Sequence, residues 1–398
     1  MANRVCIIGG GVAGMQVALV LNTLGISSLL VEKSATLGGR VPLLSKTFPF
    51  FNDDGFNDGK EFTDALERDL RSAPLSEVRL NTMVTDVEGD FPNFTIRLSD
   101  GSSVQAGSIV VATGFTPFDP TSLKEYGYGD YANVITATEL EWMLNPRGPT
   151  GGKLLRRSDG KPAQKLAIVF CVGSRNRRIG APFCSRICCS YSTKQASTVM
   201  ERSPHTLVVC FYMDVRTYDR GFEEMYSLAQ ERGVKYIRGR VSRCKQLPDG
   251  SILVRAENTL LSRPFSGEFD LVSLSTGMRP CEHADELSRL LGIARGPDGF
   301  FLCREWFRHP HDATRDGVFL AGCATGMKPI RNCMIDGAAV AARVAAVLRD
   351  TASLPFPRNR VTTNLVQPIP QTFSISSERN MYDSSSFPKG ETHGHHNS

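Results

Sequence analysis

"RVCIIGGGVAGMQVALVLNTLGISSLLVEK", residues 4–33, decides the architecture. An apolar run ends in a glycine-rich turn and a helical pattern follows. Gly25 stands where a helix C-cap falls, before a second apolar run. Strand, turn, helix and strand in this order make a βαβ unit, and Gly9-x-Gly11-x-x-Gly14 occupies its first turn. Gly9 permits the tight turn, Gly11 lets backbone approach a pyrophosphate, and Gly14 lets helix and strand pack closely. The helix N-terminus adds free N–H groups and the positive end of its dipole. Glu32 ends the second strand, where its carboxylate can accept hydrogen bonds from ribose hydroxyls. A lone G-x-G-x-x-G is a weak signal, but this full setting favours a dinucleotide over a plain glycine turn.

Two more stretches bear on which dinucleotide. "EKSATLGGR" (32–40) places Gly38, Gly39 and Arg40 just past the ribose-binding acid. A flexible turn with a guanidinium suits the longer FAD, which has more phosphate and ribityl to contact. "AGCATGMKP" (321–329) also feeds a helix and offers a second dipole end, suited to negative charge on a reduced flavin. Two anchors imply one extended dinucleotide, FAD. Lys328 is read either as a cation tuning the flavin or as a solvated loop lysine. Cys323 and Cys333 flank the same turn, where a thiol can react or merely pack.

Farther along, "IVVATGFTP" (109–117) and "LVSLSTGMRP" (271–280) echo one another. Each runs from an apolar strand to Thr-Gly, two residues and a proline, which implies a duplicated unit. Between the echoes, strands such as "KLAIVF" and "TLVVCFYMD" alternate with helical stretches, the mark of a parallel, doubly wound sheet. The expected fold is α/β with two dinucleotide-binding, Rossmann-like domains. Residues 1–117 and 271–349 form a discontinuous FAD-binding domain around an inserted domain, 118–270. Residues 351–398, rich in Ser, Pro and Asn, read as an extended or flexible tail.

The turn after "KLAIVF" breaks the nucleotide pattern. It reads "CVGSRNRRIGAPFCSRICC" (171–189), so Cys171, Cys184, Cys188 and Cys189 follow C-x12-C-x3-C-C. Four soft thiolates suit an iron–sulfur cluster or tetrahedral zinc. The adjacent pair is awkward for one zinc tetrahedron and easier for a [4Fe–4S] cube, with Arg175 and Arg186 offsetting its negative charge. Four inert core cysteines are the alternative, a poor match for an arginine-studded turn. No C-x-x-C occurs in the chain, which disfavours thioredoxin-reductase-like dithiol exchange. Cys6 and Cys210 lie in apolar strands as core. "CEH" (281–283) and "RHPH" (308–311) are isolated pairs that rarely hold metal.

Composition narrows the class. The chain has 398 residues, 41% hydrophobic and 22% charged, with a net charge of +5 and no long basic face, so nucleic-acid binding is weakly supported. No unbroken apolar run reaches the ~18–20 residues of a membrane helix, and no leader pattern opens it. Eleven cysteines favour metal or redox chemistry in a reducing compartment, so the expected location is the cytoplasm.

"VCIIGGGVAGMQVAL", "EKSATLGGR", "KTFP", "VFCVGSR", "PFCSRICCSYSTKQA", "YMDVRTYDRGFEEMYSLAQERGVKYIRGRV" and "GVFLAGCATGMKPI" together resemble the A subunit of heterodisulfide reductase. The resemblance covers most of residues 1–349. It implies a thioredoxin-reductase-like flavoprotein layout whose second domain carries the cluster, with iron–sulfur partner subunits. It also implies ligand roles for Cys171, Cys184, Cys188 and Cys189. Flavin contacts are implied at Gly9, Gly11, Gly14, Glu32, Gly39, Arg40, Thr113, Gly114, Gly322 and Lys328, and the expected set includes Ala13, Lys33, Val84 and Cys323. "FFNDDGFNDGKEF" stands where methanogen versions carry further cysteines, and no C-x2-C-x2-C run is present. The pattern is most similar to the short A subunit of the heterodisulfide-reductase-like complexes of sulfur oxidisers. The expected function is electron relay between FAD and a [4Fe–4S] cluster in a homodimeric subunit. Two rivals are a stand-alone NAD(P)H-dependent flavin disulfide reductase, marked by flavin bleaching with NADH, and a zinc-stapled scaffold, marked by zinc without iron.

Overall fold

The computed structural model describes residues 4–47 and 58–350. The expected tail, 351–398, and the stretch after Thr47 in "KTFP" lie outside the described residues. The apolar run Arg4–Ile8 becomes a strand paired in parallel with Ser27–Val31 on one side and Ser108–Val111 on the other. Around it a seven-stranded sheet runs in the order Cys303–Glu305, His309–Ala313, Val318–Leu320, Ser108–Val111, Arg4–Ile8, Ser27–Val31, Ser76–Arg79. Side chains alternate across a strand. Val5 and Ile7 therefore pack under the helices Val12–Thr23 and Ile330–Asp350, while Cys6 and Ile8 face the antiparallel meander Val84–Asp90, Asn93–Leu98, Ser103–Ala106.

A second sheet repeats the scheme. Its five parallel strands run Lys235–Arg238, Leu207–Tyr212, Lys165–Val172, Leu271–Thr276, Val134–Thr136. Leu166 and Ile168 pack against the helices Ala137–Leu144 and Cys188–Arg202. Ala167 and Val169 pack against the meander Val241–Gln246, Ile252–Asn258, Arg263–Phe269. The two echoed sequences meet: Phe115–Pro117 and Met278–Pro280 form an antiparallel ribbon by which the chain leaves the first sheet and returns to it.

The return is locked by close approach. Val318–Leu320 pairs in parallel with Ser108–Val111, and the following helix, Ile330–Asp350, lies on Val12–Thr23. Gly337 permits that crossing, since a Cβ there would come within 2.8 Å of Ala13 O. Gly25 ends the first helix in the left-handed region, φ +74, as its sequence position predicts. No helix among the described residues is long and apolar enough to cross a membrane.

Candidate functional site

The glycine turn opens on a cavity of about 570 Å3. Of the expected contact residues, Gly9, Gly11, Ala13, Glu32, Lys33, Gly39, Arg40, Val84, Thr113, Gly114, Cys323 and Lys328 line it. Gly14 and Gly322 do not line it and serve packing instead. A Cβ on Gly14 would collide with Gly9 O, and one on Gly322 would lie 2.7 Å from the Ala13 Cβ. Gly11 is different, because a Cβ there would meet nothing within 4 Å. That open space above a helix N-terminus fits a pyrophosphate.

The acid of the motif is held in place by backbone. Gly10 N–H donates to Glu32 Oε2 at 2.7 Å and Ser34 N–H donates to Oε1 at 2.8 Å. Each carboxylate oxygen keeps a further lone pair for a hydroxyl. The second turn closes on the first through Gly38 N–H to Gly10 O at 2.9 Å, and the Arg40 guanidinium lies 5.5 Å from the centre of the Phe115 ring. Lys328 is no solvated loop cation: its Nζ donates to Thr325 Oγ1 at 2.8 Å and pairs with Asp336.

One buried charged pair at the cavity escaped the sequence reading. Glu141 and Lys194 both line it, with side chains 4% and 6% exposed, and Lys194 Nζ donates to Glu141 Oε1 at 2.6 Å. The carboxylate also accepts from Ser45 N–H (2.7 Å), Ser45 Oγ–H (2.8 Å) and Gln195 Nε2 (2.8 Å), and Lys194 donates to Lys46 O at 2.6 Å. Burial alone would raise the Glu141 carboxyl, but Lys194, Gln195 and Ser45 together hold it below its ordinary value. The helix Cys188–Arg202 carrying Lys194 is rich in Ser and Thr yet almost wholly buried, with Ser192 Oγ 2.6 Å from Ser275 Oγ. Hydroxyl-rich helices read as surface, so the small size of these side chains was the available signal.

The same helix begins in the cysteine turn. Cys188 and Cys189 form its first positions, and Ile187, Tyr191, Lys194 and Gln195 reach the cavity. Cys171, Cys188 and Cys189 are buried together as free thiols, with Cys188 interacting with both of the others. That interaction, with Arg175 and Arg216 outweighing burial, lowers Cys171 to about 7, while Cys188 is pushed up by the Cys171 and Cys189 thiols and Cys189 is held down by Cys188. Cys184 is only half-buried, its Sγ accepting the Arg186 N–H at 3.3 Å. The structure thus joins three of the four expected ligands. Among the described residues no group of three or more Cys, His, Asp or Glu forms a metal-holding arrangement, "CEH" and "RHPH" included.

Even so, the donor chemistry around these thiols fits an anionic group. Arg175 gives Nη2 to Asp214 at 2.6 Å, but its Nη1 is buried without a hydrogen-bond partner, as is Ser174 Oγ. Such orphans are costly and need explaining. Cys171, Arg175 and Arg186 all hold positive φ (60°, 53° and 63°), a concentration of strained non-glycine backbone typical of functional loops.

A mostly parallel sheet with a dinucleotide turn, a second, wholly parallel sheet and a shared cavity define an oxidoreductase of the two-domain disulfide-reductase class. The pyridine nucleotide-disulphide oxidoreductase family profile matches residues 3–337. The chain is 34% identical over 430 residues to the second iron–sulfur A subunit of the CoB–CoM heterodisulfide reductase of Methanopyrus kandleri, covering 87% of this chain and 65% of that one. It is 32% identical over 424 residues to the A subunit of the H2:CoB-CoM heterodisulfide,ferredoxin reductase of Methanothermobacter marburgensis, covering 86% and 63%. The chain therefore spans just under two thirds of these relatives' length. Thioredoxin reductase of T. acidophilum shares the fold, with a TM-score of 0.60 and 17% identity over 88% of this chain and 98% of that one. The chain belongs to the pyridine nucleotide-disulphide oxidoreductase family, and within it is similar to the heterodisulfide reductase A subunits.

Proposed function

We propose that the chain is a FAD- and [4Fe–4S]-carrying electron-transfer subunit of a cytoplasmic heterodisulfide-reductase-like complex of sulfur metabolism. The observation that carries this reading is the helix Cys188–Arg202, whose first turn holds two thiols and whose next turns line the cavity. At about 1.5 Å rise per residue, Cys189 and Tyr191 are ~3 Å apart along its axis. Gly9, Gly11, Ala13, Glu32, Lys33, Gly39, Arg40, Val84, Thr113, Gly114, Cys323 and Lys328 would hold FAD. Cys171, Cys184, Cys188 and Cys189 would ligate the cluster, with Cys184 closing in from its half-buried loop. Bound there, the groups supply a two-electron carrier beside a one-electron carrier.

The chain's own part is to position and to set charge. Glu141 fixes Lys194 at the cavity wall, Tyr191 donates its hydroxyl to Thr276 O at 2.9 Å, and Arg175 presents positive charge to the thiols. The relatives are named as subunits, which supports leaving substrate chemistry to partner subunits. A second copy of the chain is the expected oligomeric partner. Anaerobic purification followed by iron, sulfide and flavin assay tests the reading. Cys184→Ser is expected to lose iron and its absorbance while keeping yellow flavin. Loss of both from folded protein overturns the two-site picture, and zinc without iron overturns the cluster.

A further inference from the structure

The cavity also carries a pair of thiols to which the relay gives no redox role. Cys323 sits in the turn Gly322–Thr325 and Cys333 in the first turn of the helix Ile330–Asp350. Both line the cavity, only 7% and 6% exposed, and their Sγ atoms stand 3.7 Å apart. Both also converge on one acceptor, Lys328 O, at 3.6 and 3.9 Å. The loop bearing that carbonyl is braced by Lys328 Nζ on Thr325 and Asp336.

Buried cysteines often act as small hydrophobes. Cys6 and Cys244 do so here, buried in strands that push each thiol up to about 12. Cys323 departs from them: the Cys333 thiol bonded to it, outweighing burial, holds it below its ordinary value. The chain thus provides one thiol biased towards thiolate with a second in contact. A disulfide needs S–S near 2.05 Å, so the sulfurs have only about 1.7 Å to close.

We propose that Cys323 and Cys333 form a reversible dithiol–disulfide couple that stores two electrons for the redox group of the cavity. On oxidation each thiol loses its proton, the Sγ–Sγ bond forms, and the two electrons released pass to the oxidised isoalloxazine ring, which takes them up with protons. Reduction runs the same balance backwards. The identity of the electron partner rests on the FAD reading; the couple itself does not. It differs from the C-x-x-C type of exchange, because the two cysteines lie on a turn and the helix after it.

The test separates the two ideas. Flavin-free and FAD-loaded chains are equilibrated with mixtures of reduced and oxidised dithiothreitol, quenched in acid, alkylated and digested with trypsin. In exchange with the oxidised reagent, its disulfide is reduced as the Cys323–Cys333 bond forms. The Lys328–Pro329 bond resists trypsin, so the cysteines fall in peptides 316–331 and 332–343. The expected product is these two peptides linked, two hydrogen atoms lighter than the free pair, and reverting to free thiols as the reduced reagent rises. Their absence at every ratio, with both cysteines alkylated after unfolding, overturns the couple. Anaerobic reductive titration of FAD-loaded protein should take up two electrons more in wild type than in Cys333→Ser. Equal uptake overturns the link to the cavity. A chain that forms the linked peptides but binds no FAD keeps the couple and refutes the flavin reading.

Discussion

Removing the Lys194 ammonium with Lys194→Met strands the Glu141 carboxylate in a site where its side chain is 4% exposed. The carboxylate keeps three donors, Ser45 N–H, Ser45 Oγ–H and Gln195 Nε2, but no cation. Breaking one side of a buried pair costs about 3–5 kcal/mol, because the partner's charge is left uncompensated. The pH dependence fixes the cause. In wild type the folded Glu141 value is depressed, so its contribution is present above the unfolded glutamate value of ~4.3 and is lost as pH falls through the folded one. In Lys194→Met burial is opposed only by the Ser45 and Gln195 donors, and the folded value rises. Each unit of that rise costs about 1.4 kcal/mol once pH exceeds it, so the penalty should grow between about pH 4 and 7. The assay is urea unfolding followed by tryptophan fluorescence, for which Trp142 adjoins Glu141 in the helix Ala137–Leu144. The double variant Glu141→Gln/Lys194→Met should recover part of the loss, giving a coupling of about 1–3 kcal/mol. A single-variant penalty near 0.5 kcal/mol, the size of an ordinary surface change, or one flat across this pH range, refutes the reasoning.

Two glycines of one motif should fail in opposite ways. Gly11→Ala is expected to fold with an unchanged unfolding midpoint and lose FAD, since its Cβ enters open cavity. Gly14→Ala should cost stability through its collision with Gly9 O, measurable by thermal unfolding of flavin-free protein. At the cysteine turn, Arg175→Met removes the guanidinium whose Nη1 lies buried and unpartnered. It should weaken iron retention by about 10–100-fold against a chelator, as changes beside metal ligands do, while flavin content holds.

Local constraints were legible in the sequence. Gly9, Gly11, Gly14 and Gly25 each report a turn, a close approach or a cap that a few neighbouring residues define, whereas the echo of 109–117 in 271–280 was legible as a repeat but not as the ribbon in which the two stretches pair. The meanders were missed because strands such as Asn93–Leu98 are short and bury only alternate residues, a weak signal beside the fully buried Ser108–Val111. The Glu141–Lys194 pair was invisible because its partners belong to different helices, and nothing in either helix demands the other. Cys184 illustrates a different limit: spacing groups it with three cysteines, but its loop position depends on the run of left-handed residues between Cys171 and Arg186.

The two sheets end in turns at corresponding places put to different ends. After Arg4–Ile8 the helix starts at Val12, so its N-terminus faces the space above Gly11. After Lys165–Val172 the chain reaches Gly173 at φ +77, where a Cβ would fall inside the Phe118 ring, and the helix waits until Cys188. Phe118 is held there by Arg279, whose guanidinium lies 4.8 Å from its ring centre and donates to Gly173 O at 2.7 Å. An aromatic ring and a guanidinium thus fill the place where a phosphate would approach the strand end. The positive end of the delayed helix meets thiols instead, which it favours as thiolates for the same electrostatic reason that it favours phosphate. Truncating Phe118 would open space without restoring the helix N-terminus beside it, so Phe118→Ala should gain no affinity for NADH. Tight NADH binding by that variant would show that the ring alone, and not the displaced helix, keeps a nucleotide out.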